Sequence, residues 1–490
     1  MDKVDNMQQK TTVDNVQDQP TFFWHDYETF GLSPGADRPS QFAGIRTDLN
    51  LNVTDEAKEW FCRAPSDYLP NPEACLITGI TPQQTLQHGV PESEFIRYIN
   101  NQFSQPNTCV VGYNSIRFDD EVTRFTLYRN FLDPYQREWK NGCSRWDIID
   151  LVRTCYALRP EGINWPVDEN DVPSFRLELL TKENNLAHDQ AHDAMSDVYA
   201  TIAMAKLIKE KQPKLFQFCF NLRKKDNVLN TLKLGSFTPI THISGMFPAL
   251  QGCASYVLPI AEHPFNKNAV IVLDLNKDLT NLKTLSVAEI QQYLYTATAD
   301  LPEGITRPAI KLIHINKCPV VAPAKTLTEE RAEILGIDRK QCRESLEFIK
   351  QNLDLAEKCQ QIFAEENRPV KKQTAEEMLY SGGFFSYADK ALINKISDSN
   401  WDTLSNQTFN FEDPRLSTLL WHYRARNAPQ SLSIEEQEKW ARHCSSYLLE
   451  NTDAYVNKIE ALAMDNETNP EKIELLQQLY HYLSYLSTGR

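Results

Sequence analysis

Residues 22 to 30 read Phe22-Phe23-Trp24-His25-Asp26-Tyr27-Glu28-Thr29-Phe30, an aromatic-rich run that is predicted to form a strand and its end. Because successive side chains of a strand point to opposite faces, Asp26 and Glu28 share one face, and His25 and Tyr27 share the other. Two carboxylates held side by side repel each other unless a cation lies between them, so the pair indicates a divalent metal site. Acids also occur at strand ends as solvated surface residues, and the pair alone does not choose between the two interpretations.

Two further acids lie downstream. Asp119 follows a strand-like run, Cys109–Tyr113, and a short loop. Asp197 lies near the start of a long helical pattern, with His192 five residues before it. Five helical steps would separate these two side chains by about 140°. We therefore place His192 ahead of the helix and Asp197 in its first turns, where both can face one cavity.

This order of residues, Asp-x-Glu, Asp and His-x-x-x-x-Asp, resembles the DEDDh class of 3′→5′ exonucleases in the ribonuclease H-like superfamily. More narrowly, the chain resembles the bacterial exodeoxyribonuclease I family over nearly everything after about residue 22. The similar stretches are Leu76–Pro82, Leu158–Pro166, His314–Pro319 and Tyr423–Asn427. The resemblance implies an α/β ribonuclease H-like exonuclease domain with a mixed sheet, then an SH3-like β-containing domain and an α-helical C-terminal domain.

Spacing alone does not decide which residues fill two positions of the motif. His188 and Asp193 have the same separation as His192 and Asp197. The family pattern Ala-His-Asp-Ala favours the second pair and leaves Asp193 as a helix N-cap, a role that suits Asp. Asp119 is followed by Asp120 and Glu121, and the match after Arg117-Phe118 favours Asp119.

The resemblance implies a role for each motif residue. Asp26, Glu28 and Asp197 would ligate two Mg²⁺ ions, with Mn²⁺ able to substitute, and Asp119 would bind them largely through water or orient a ligand. Hard carboxylate oxygens suit Mg²⁺. Glu28 would also contact the substrate. His192 would accept a proton from the attacking water, which suits an imidazole whose ordinary pKa is near neutral; otherwise it is a helix-entry histidine that only bonds a neighbour.

The charge balance opposes binding of a polyanion. The chain of 490 residues has 51 Lys and Arg against 66 Asp and Glu, a net charge of −15. Binding of DNA would need a local basic groove and aromatic stacking, which tolerates any base. By resemblance the candidates are Arg124, Tyr135, Trp139, Arg145, Arg153, Ser174 and Arg176. The alternative for each is an ordinary packing aromatic or a solvated surface charge.

Shifts of pattern suggest about three domains, in accord with the length. Residues 1–20 are predicted to be a flexible tail, 21–212 the exonuclease domain, 213–366 the SH3-like domain and 367–490 the helical domain. Pro213 is expected to end the long helix, and Asn469-Pro470 to start another whose buried face carries Ile473, Leu476, Tyr480 and Leu483. The eleven cysteines include no CxxC pair, so zinc is not indicated. No signal peptide or membrane span is seen, and we expect a cytoplasmic location with reduced thiols.

The motif and the resemblance together imply an Mg²⁺-dependent exonuclease that removes 5′-mononucleotides from the 3′ end of single-stranded DNA, processively as in the similar family, in repair and recombination. Two alternatives are a 3′→5′ exoribonuclease of the same catalytic class and a non-catalytic DNA-binding scaffold. A monomer is expected. The family also binds the acidic C-terminal tail of single-stranded DNA-binding protein, and Arg159 matches that basic pocket; its alternative is a structural ion pair.

Overall fold

The computed structural model describes residues 19–187, 193–364 and 372–488. Its first part is built on a five-stranded sheet in the order β3-β2-β1-β4-β5. β1 is antiparallel to β2 and parallel to β4, and β4 is parallel to β5, so the predicted mixed sheet is confirmed. The strands are Thr21–Thr29 (β1), Pro39–Thr47 (β2), Lys58–Phe61 (β3), Thr108–Gly112 (β4) and Ser144–Asp147 (β5).

Helices cover both faces of this sheet. Because side chains alternate along β1, its aromatic residues pack on both faces. Phe22 and Trp24 lie in one buried cluster, and Phe23 and Tyr27 lie in another on the opposite face. The long helix ends just before Pro213, as predicted, and Pro213 also starts a further helix, which was not predicted. The helices of this part and the next connection are Pro72–Thr78 (α1), Pro82–His88 (α2), Glu92–Phe103 (α3), Asp119–Arg129 (α4), Ile149–Leu158 (α5), Leu177–Glu183 (α6), Ala194–Lys211 (α7), Pro213–Asn221 (α8) and Lys225–Leu232 (α9).

The second part contains a separate five-stranded sheet, in the order β10-β6-β7-β8-β9, in which every pairing is antiparallel. The predicted β-containing second domain is thus confirmed. Its strands are Ile240–Ile243 (β6), Ala254–Glu262 (β7), Ala269–Asp274 (β8), Ile310–His314 (β9) and Val320–Pro323 (β10). Its helices are Thr280–Thr284 (α10), Val287–Tyr295 (α11), Glu329–Ile334 (α12), Arg339–Gln351 (α13) and Leu355–Ile362 (α14).

The third part is helical, as predicted. Its helices are Tyr387–Asp398 (α15), Trp401–Asn406 (α16), Pro414–Asn427 (α17), Ile434–Asp465 (α18) and Pro470–Thr488 (α19). The buried face predicted for α19 is partly wrong, because Tyr480 is half exposed while Leu479 and Tyr482 are buried. The helix packs between α18 on one side and α1 and α2 on the other. Because helices cover it from two sides, the buried surface of α19 is wider than the single apolar stripe predicted from the sequence.

The predicted domain boundaries stay predictions. Most of the 1–20 tail lies outside the described residues, as do 365–371 near the second boundary. No helix among the described residues combines the length and apolar character that crossing a membrane requires.

A buried ion cluster joins the helical part to the exonuclease part. Arg426 of α17 donates two hydrogen bonds to Asp67, of 2.9 and 2.7 Å, and also contacts Glu376. Glu376 in turn accepts from Arg38 of the first part at 2.5 Å. Burial alone would raise the pKa of Asp67, but Arg426 and His443 outweigh it and hold that pKa well below its usual range. The cluster therefore fixes α17 against the exonuclease part through paired, water-excluded charges.

Asp67→Ala should destabilise the protein by about 3–5 kcal/mol, because it removes one of the two carboxylates that neutralise a buried guanidinium. Urea unfolding followed by circular dichroism measures the change. Glu73→Ala is the matched control, since Glu73 also bridges to the third part, through Lys458, but is exposed; it should cost less than about 1 kcal/mol. Equal costs for the two variants would contradict a stabilising role for the buried cluster.

Candidate active site

The acids of β1 lie on the face that α7 covers. Asp26 and Glu28 alternate with His25 and Tyr27, whose side chains enter the opposite cluster. One ligand oxygen each from Asp26, Glu28 and Asp197 can be chosen so that all lie within 4.8 Å of one another. Carboxylates from two distant segments of the chain, β1 and the start of α7, therefore meet in one place.

Asp193 and Asp197, the two acids at the start of α7, lie in different environments. Asp193 is the N-cap, and its carboxylate accepts the backbone N–H of Ser196 at 3.0 Å. Asp197 lies one turn further and joins Asp26 and Glu28. The geometry thus places Asp197 with the other acids, as the family pattern favours. His192 and His188 both lie outside the described residues, and the assignment of His192 stays a prediction.

Asp119 is the fourth acid of the group. It is the first residue of α4 and is 5% exposed. Its negative charge helps to raise the pKa of Asp26. The neighbouring Asp120 is directed elsewhere, into bonds of 2.6 Å with both Arg137 and Arg145. Asp119 rather than Asp120 therefore faces the acidic cluster.

Crowding of these acids shifts their pKa values upward. Burial, together with Asp119, Glu28 and Asp197, raises the pKa of Asp26 well above its usual range. Burial, Asp197 and Asp119 raise the pKa of Glu28 to about 8, and burial with Asp120 and Asp147 raises that of Asp119 to about 8. Each shift has the same physical cause, namely that negative charge is costly in a cluster which water cannot solvate.

The cluster fits a divalent cation of the hard type. Its donors are all carboxylate oxygens, the ligands that Mg²⁺ and similar ions prefer, and thiol and imidazole groups are absent from the ligand set among the described residues. A bound cation would also relieve the repulsion that raises the pKa values.

A cavity of about 2320 Å³ is lined by residues from all three parts of the chain. The acids themselves are not on its wall. Arg117 and Glu121, which flank Asp119 in the sequence, line it, as do Lys317 of the second part and Phe384 of the third. Of the predicted substrate contacts, Trp139 and Tyr135 lie on this wall with 66% and 38% of their surface exposed. Trp139 is thus available as a stacking surface, whereas the guanidinium of Arg124 lies over the ring of Tyr135, 5.3 Å from its centroid.

Arg124 and Arg145 also line the cavity, but both are occupied by carboxylates. Arg124 donates to Glu138 at 2.8 and 2.9 Å and to Glu121 at 2.8 Å. Arg145 bonds Asp120 and contacts Glu138 at 3.2 Å. Their charge is therefore largely neutralised within the protein, and their role as phosphate contacts stays a prediction.

The other predicted contacts lie near the ends of the parallel strands. The hydroxyl of Tyr113, just after β4, donates to the carbonyl of Phe175 at 2.5 Å and ties the segment of Ser174 and Arg176 to the loop before Asp119. The side chain of Arg176 is 69% exposed and contacts Glu178. Arg153 lies on α5 and pairs with Asp150 at 2.7 Å.

Arg159, the predicted partner contact, lies at the C-terminal end of α5. It donates to the carbonyls of Leu158 and Thr326, the latter at 3.3 Å. Arg331 of α12 donates to the carbonyls of Tyr156 and Ala157 at 2.6 and 3.2 Å. Two arginines therefore lie together where the first two parts of the chain meet. Arg331 was not among the residues predicted from the sequence, because no local pattern marks it.

Five further cavity-lining cations were not predicted from the sequence, namely Arg117, Arg223, Lys224, Lys225 and Lys317. None is in an ion pair with a residue that the structure describes. Arg223-Lys224-Lys225 is a run of three cations, a signal that could have been found from the sequence. Arg117 and Lys317 stand alone in the sequence and could not.

Comparison with known proteins identifies the class and then the family. Residues 23–205 match the model described as "Exonuclease", and with the carboxylate cluster this defines an exonuclease of the metal-dependent type. Residues 223–365 match "Exonuclease I SH3-like domain" and 373–486 match "Exonuclease I C-terminal domain". The chain belongs to the exodeoxyribonuclease I family.

Similar proteins match over nearly the full length. Exodeoxyribonuclease I of Haemophilus influenzae is 50% identical over 463 residues, which cover 94% of this chain and 98% of that protein. The crystal structure of Escherichia coli exonuclease I with a dA16 oligonucleotide has a TM-score of 0.93 and 45% identity, covering 96% of this chain and 100% of that one. A structure of SSB/exonuclease I with the inhibitor CFAM has a TM-score of 0.89 and 44% identity, covering 96% and 100%. These matches confirm the predicted family and fold class.

Without a divalent cation, the thermal stability of the protein should fall as pH rises from about 5 to about 8. The pKa values of Glu28 and Asp119 are raised to about 8 in the folded chain. Between the ordinary carboxylate pKa and this value the folded chain holds more protons than the unfolded chain, so deprotonation favours unfolding. Saturating Mg²⁺ should remove the loss, because it binds the folded state.

Thermal melts in EDTA and in Mg²⁺ at several pH values measure this effect. Since other groups also titrate, the informative quantity is the difference between the wild type and Glu28→Gln, which should grow with pH in EDTA. Glu73→Gln, an exposed acid, is the control. A Glu28→Gln difference that does not change with pH would contradict the electrostatic account of the cluster.

Proposed function

We propose that this chain hydrolyses single-stranded DNA stepwise from the 3′ end, releases 5′-mononucleotides, and acts in DNA repair and recombination. The observation that carries the proposal is the convergence of Asp26, Glu28 and Asp197, with ligand oxygens within 4.8 Å, on the central strand of the exonuclease sheet and the helix that packs on it. The similarity to an exonuclease I bound to dA16 supports a single-stranded DNA substrate.

Asp26, Glu28 and Asp197 would hold two Mg²⁺ ions directly, Mn²⁺ being able to replace them, and Asp119 would bind through water or orient a ligand. Such a pair, when bound, lowers the pKa of a coordinated water and neutralises charge at the phosphate. His192 would accept the proton of the attacking water, a task that an imidazole performs near neutral pH. Glu28 and Arg176 would hold the terminal nucleotide, and burial of the acids would keep bulk water from the reacting phosphate.

The rest of the strand would run along the large cavity. Trp139 offers a flat, exposed ring on which a base of any identity can stack, and Tyr135 would stack through the part of its ring that Arg124 leaves exposed. Phe384, from the third part, is fully exposed at the same wall. Passage between three parts of one chain would keep the strand bound between successive cuts, which supports processive digestion. Ser174, Arg153, Arg124 and Arg145 complete the set of proposed contacts.

We further infer a monomer in the cytoplasm, where single-stranded DNA arises during repair. The partner would be the acidic C-terminal tail of single-stranded DNA-binding protein, held at Arg159. Support comes from the second cation beside it, Arg331, and from the similar SSB/exonuclease I structure. A guanidinium can bind a terminal carboxylate through two parallel hydrogen bonds.

The nuclease proposal is tested with 5′-labelled single-stranded DNA, with and without Mg²⁺. We expect a ladder that shortens from the 3′ end only with the metal. Asp197→Asn should abolish it, whereas Asp193→Asn, which keeps a capping acceptor, should retain it. His192→Ala should slow hydrolysis about 10²- to 10⁴-fold with DNA binding intact, and His188→Ala should not.

Other outcomes would redirect the assignment. Faster trimming of a matched RNA would favour an exoribonuclease. Binding of DNA without cleavage in Mg²⁺ or Mn²⁺ would favour a scaffold. If His188→Ala slowed the reaction and His192→Ala did not, the assignment of the proton acceptor would be reversed.

Arg159→Ala should weaken binding of a fluorescent peptide that carries the acidic tail by about tenfold or more, because the terminal carboxylate loses a charged donor. Fluorescence polarisation measures the affinity. Arg339→Ala, which removes an exposed cation of the second part, is the control. Unchanged affinity in Arg159→Ala, or an equal loss in the control, would remove Arg159 from the partner site.

A further inference from the structure

The loop that carries Asp119 to the cluster has one internal backbone hydrogen bond, from the N–H of Phe118 to the carbonyl of Ser115 at 3.3 Å. It runs from Asn114 to Phe118, between β4 and α4, and α4 begins without a side-chain cap. Asn114 adopts a left-handed backbone conformation, with φ of 62°. Such a sharp, uncapped turn needs support from elsewhere if Asp119 is to keep one position.

That support comes from Asp147 at the end of β5. Its Oδ1 accepts the backbone N–H groups of Asn114 at 2.8 Å and Ile149 at 3.0 Å, and its Oδ2 accepts that of Ile116 at 3.1 Å. Two of these three bonds go to the loop before Asp119. The third holds the start of α5, so the carboxylate is itself locked in place.

The packing leaves the loop little room to shift. Ser115 and Ile116 are buried. A Cβ on Gly112 would lie 2.6 Å from the Cβ of Ser115, so the loop folds back closely over the end of β4. The loop position is therefore set on one side by this contact and on the other by Asp147.

Burial of a carboxylate at this position costs free energy. We therefore expect its hydrogen bonds to have a functional role. Burial, with Asp150, raises the pKa of Asp147 to about 7, and its charge also acts on Asp119. Only a carboxylate, however, can accept hydrogen bonds with both of its terminal atoms. In Asn, the terminal atom that faces the N–H of Ile116 would be an NH₂ group, so two donors would face each other. Asp147 is not among the clustered ligand acids.

We propose that Asp147 is a positioning residue of the hydrolytic site, whose carboxylate fixes the Asn114–Phe118 loop and thereby the Asp119 side chain. The inference rests on the role proposed for Asp119. It assigns to Asp147 no contact with the substrate or the metal.

Asp147→Asn tests the inference in the full chain. We expect kcat to fall about 10- to 100-fold and the Mg²⁺ concentration for half-maximal rate to rise about tenfold, as when the partners that orient metal ligands are removed. Affinity for single-stranded DNA in EDTA should change less than about threefold. The control is Asp338→Asn, whose carboxylate likewise accepts two backbone N–H groups, at 2.8 and 3.1 Å, at the start of α13; it should leave all three quantities unchanged.

A second variant guards against misfolding. Asn114→Ala strains the left-handed residue at the start of the same loop while leaving the Asp147 side chain unchanged, and it should also raise the Mg²⁺ requirement. A lower melting temperature with an unchanged Mg²⁺ requirement in Asp147→Asn would show a merely structural role and overturn the inference. If Asp147→Asn does not fold, an unchanged Mg²⁺ requirement in Asn114→Ala overturns it.

Asp119→Asn, measured in parallel, separates this inference from the proposed function. If Asp119→Asn is fully active, the role of Asp119 and the positioning role of Asp147 both fall. If Asp119→Asn is inactive and Asp147→Asn behaves as the wild type, only the positioning inference falls.

Discussion

Mutual repulsion among four clustered carboxylates is the constraint on which the exonuclease part depends. Two unit charges 4 Å apart repel by about 1 kcal/mol in water but by about 4 kcal/mol near a protein surface. Glu28 and Asp119 are only 9% and 5% exposed, so water cannot screen them well. Protons relieve the repulsion, as the raised pKa values indicate, and a divalent cation can replace those protons. The cluster is thus poorly stable as an anion and well suited to bind a cation.

A fold that holds such a cluster must oppose repulsion with rigid neighbours. Asp26 and Glu28 lie on β1, the central strand, which pairs with β2 on one side and β4 on the other. Aromatic side chains fill both faces of that strand, and α7 packs directly on it. Asp119 has no such strand, because it begins a helix after a sharp turn. Its position depends instead on the loop before it, whose backbone N–H groups at Asn114 and Ile116 donate to the carboxylate of Asp147.

The sequence was sufficient where short-range periodicity decides the structure. Strand alternation predicted the shared face of Asp26 and Glu28, and capping preference predicted the role of Asp193. It was insufficient where distant partners decide. Asp120 is turned from the cluster by Arg137 and Arg145, 17 and 25 residues later, and Arg124 contacts Tyr380, 256 residues away. The half-exposed Tyr480 shows the same limit, because the buried face of α19 depends on helices from both ends of the chain.

These long-range pairs also bear on how an acidic chain can hold a polyanion. Arg124, Arg137 and Arg145 carry positive charge to the cavity region, but three acids, Asp120, Glu121 and Glu138, neutralise it. These arginines mainly fix α4, β5 and the turn between them. Cations that are not in an ion pair with a described residue come instead from the run Arg223-Lys224-Lys225 and from Lys317. Because that charge is sparse, aromatic rings must supply much of the contact with a nucleic acid, and stacking does not depend on sequence. A net charge of −15 is therefore compatible with a DNA-degrading enzyme that binds its strand inside the molecule and repels it outside.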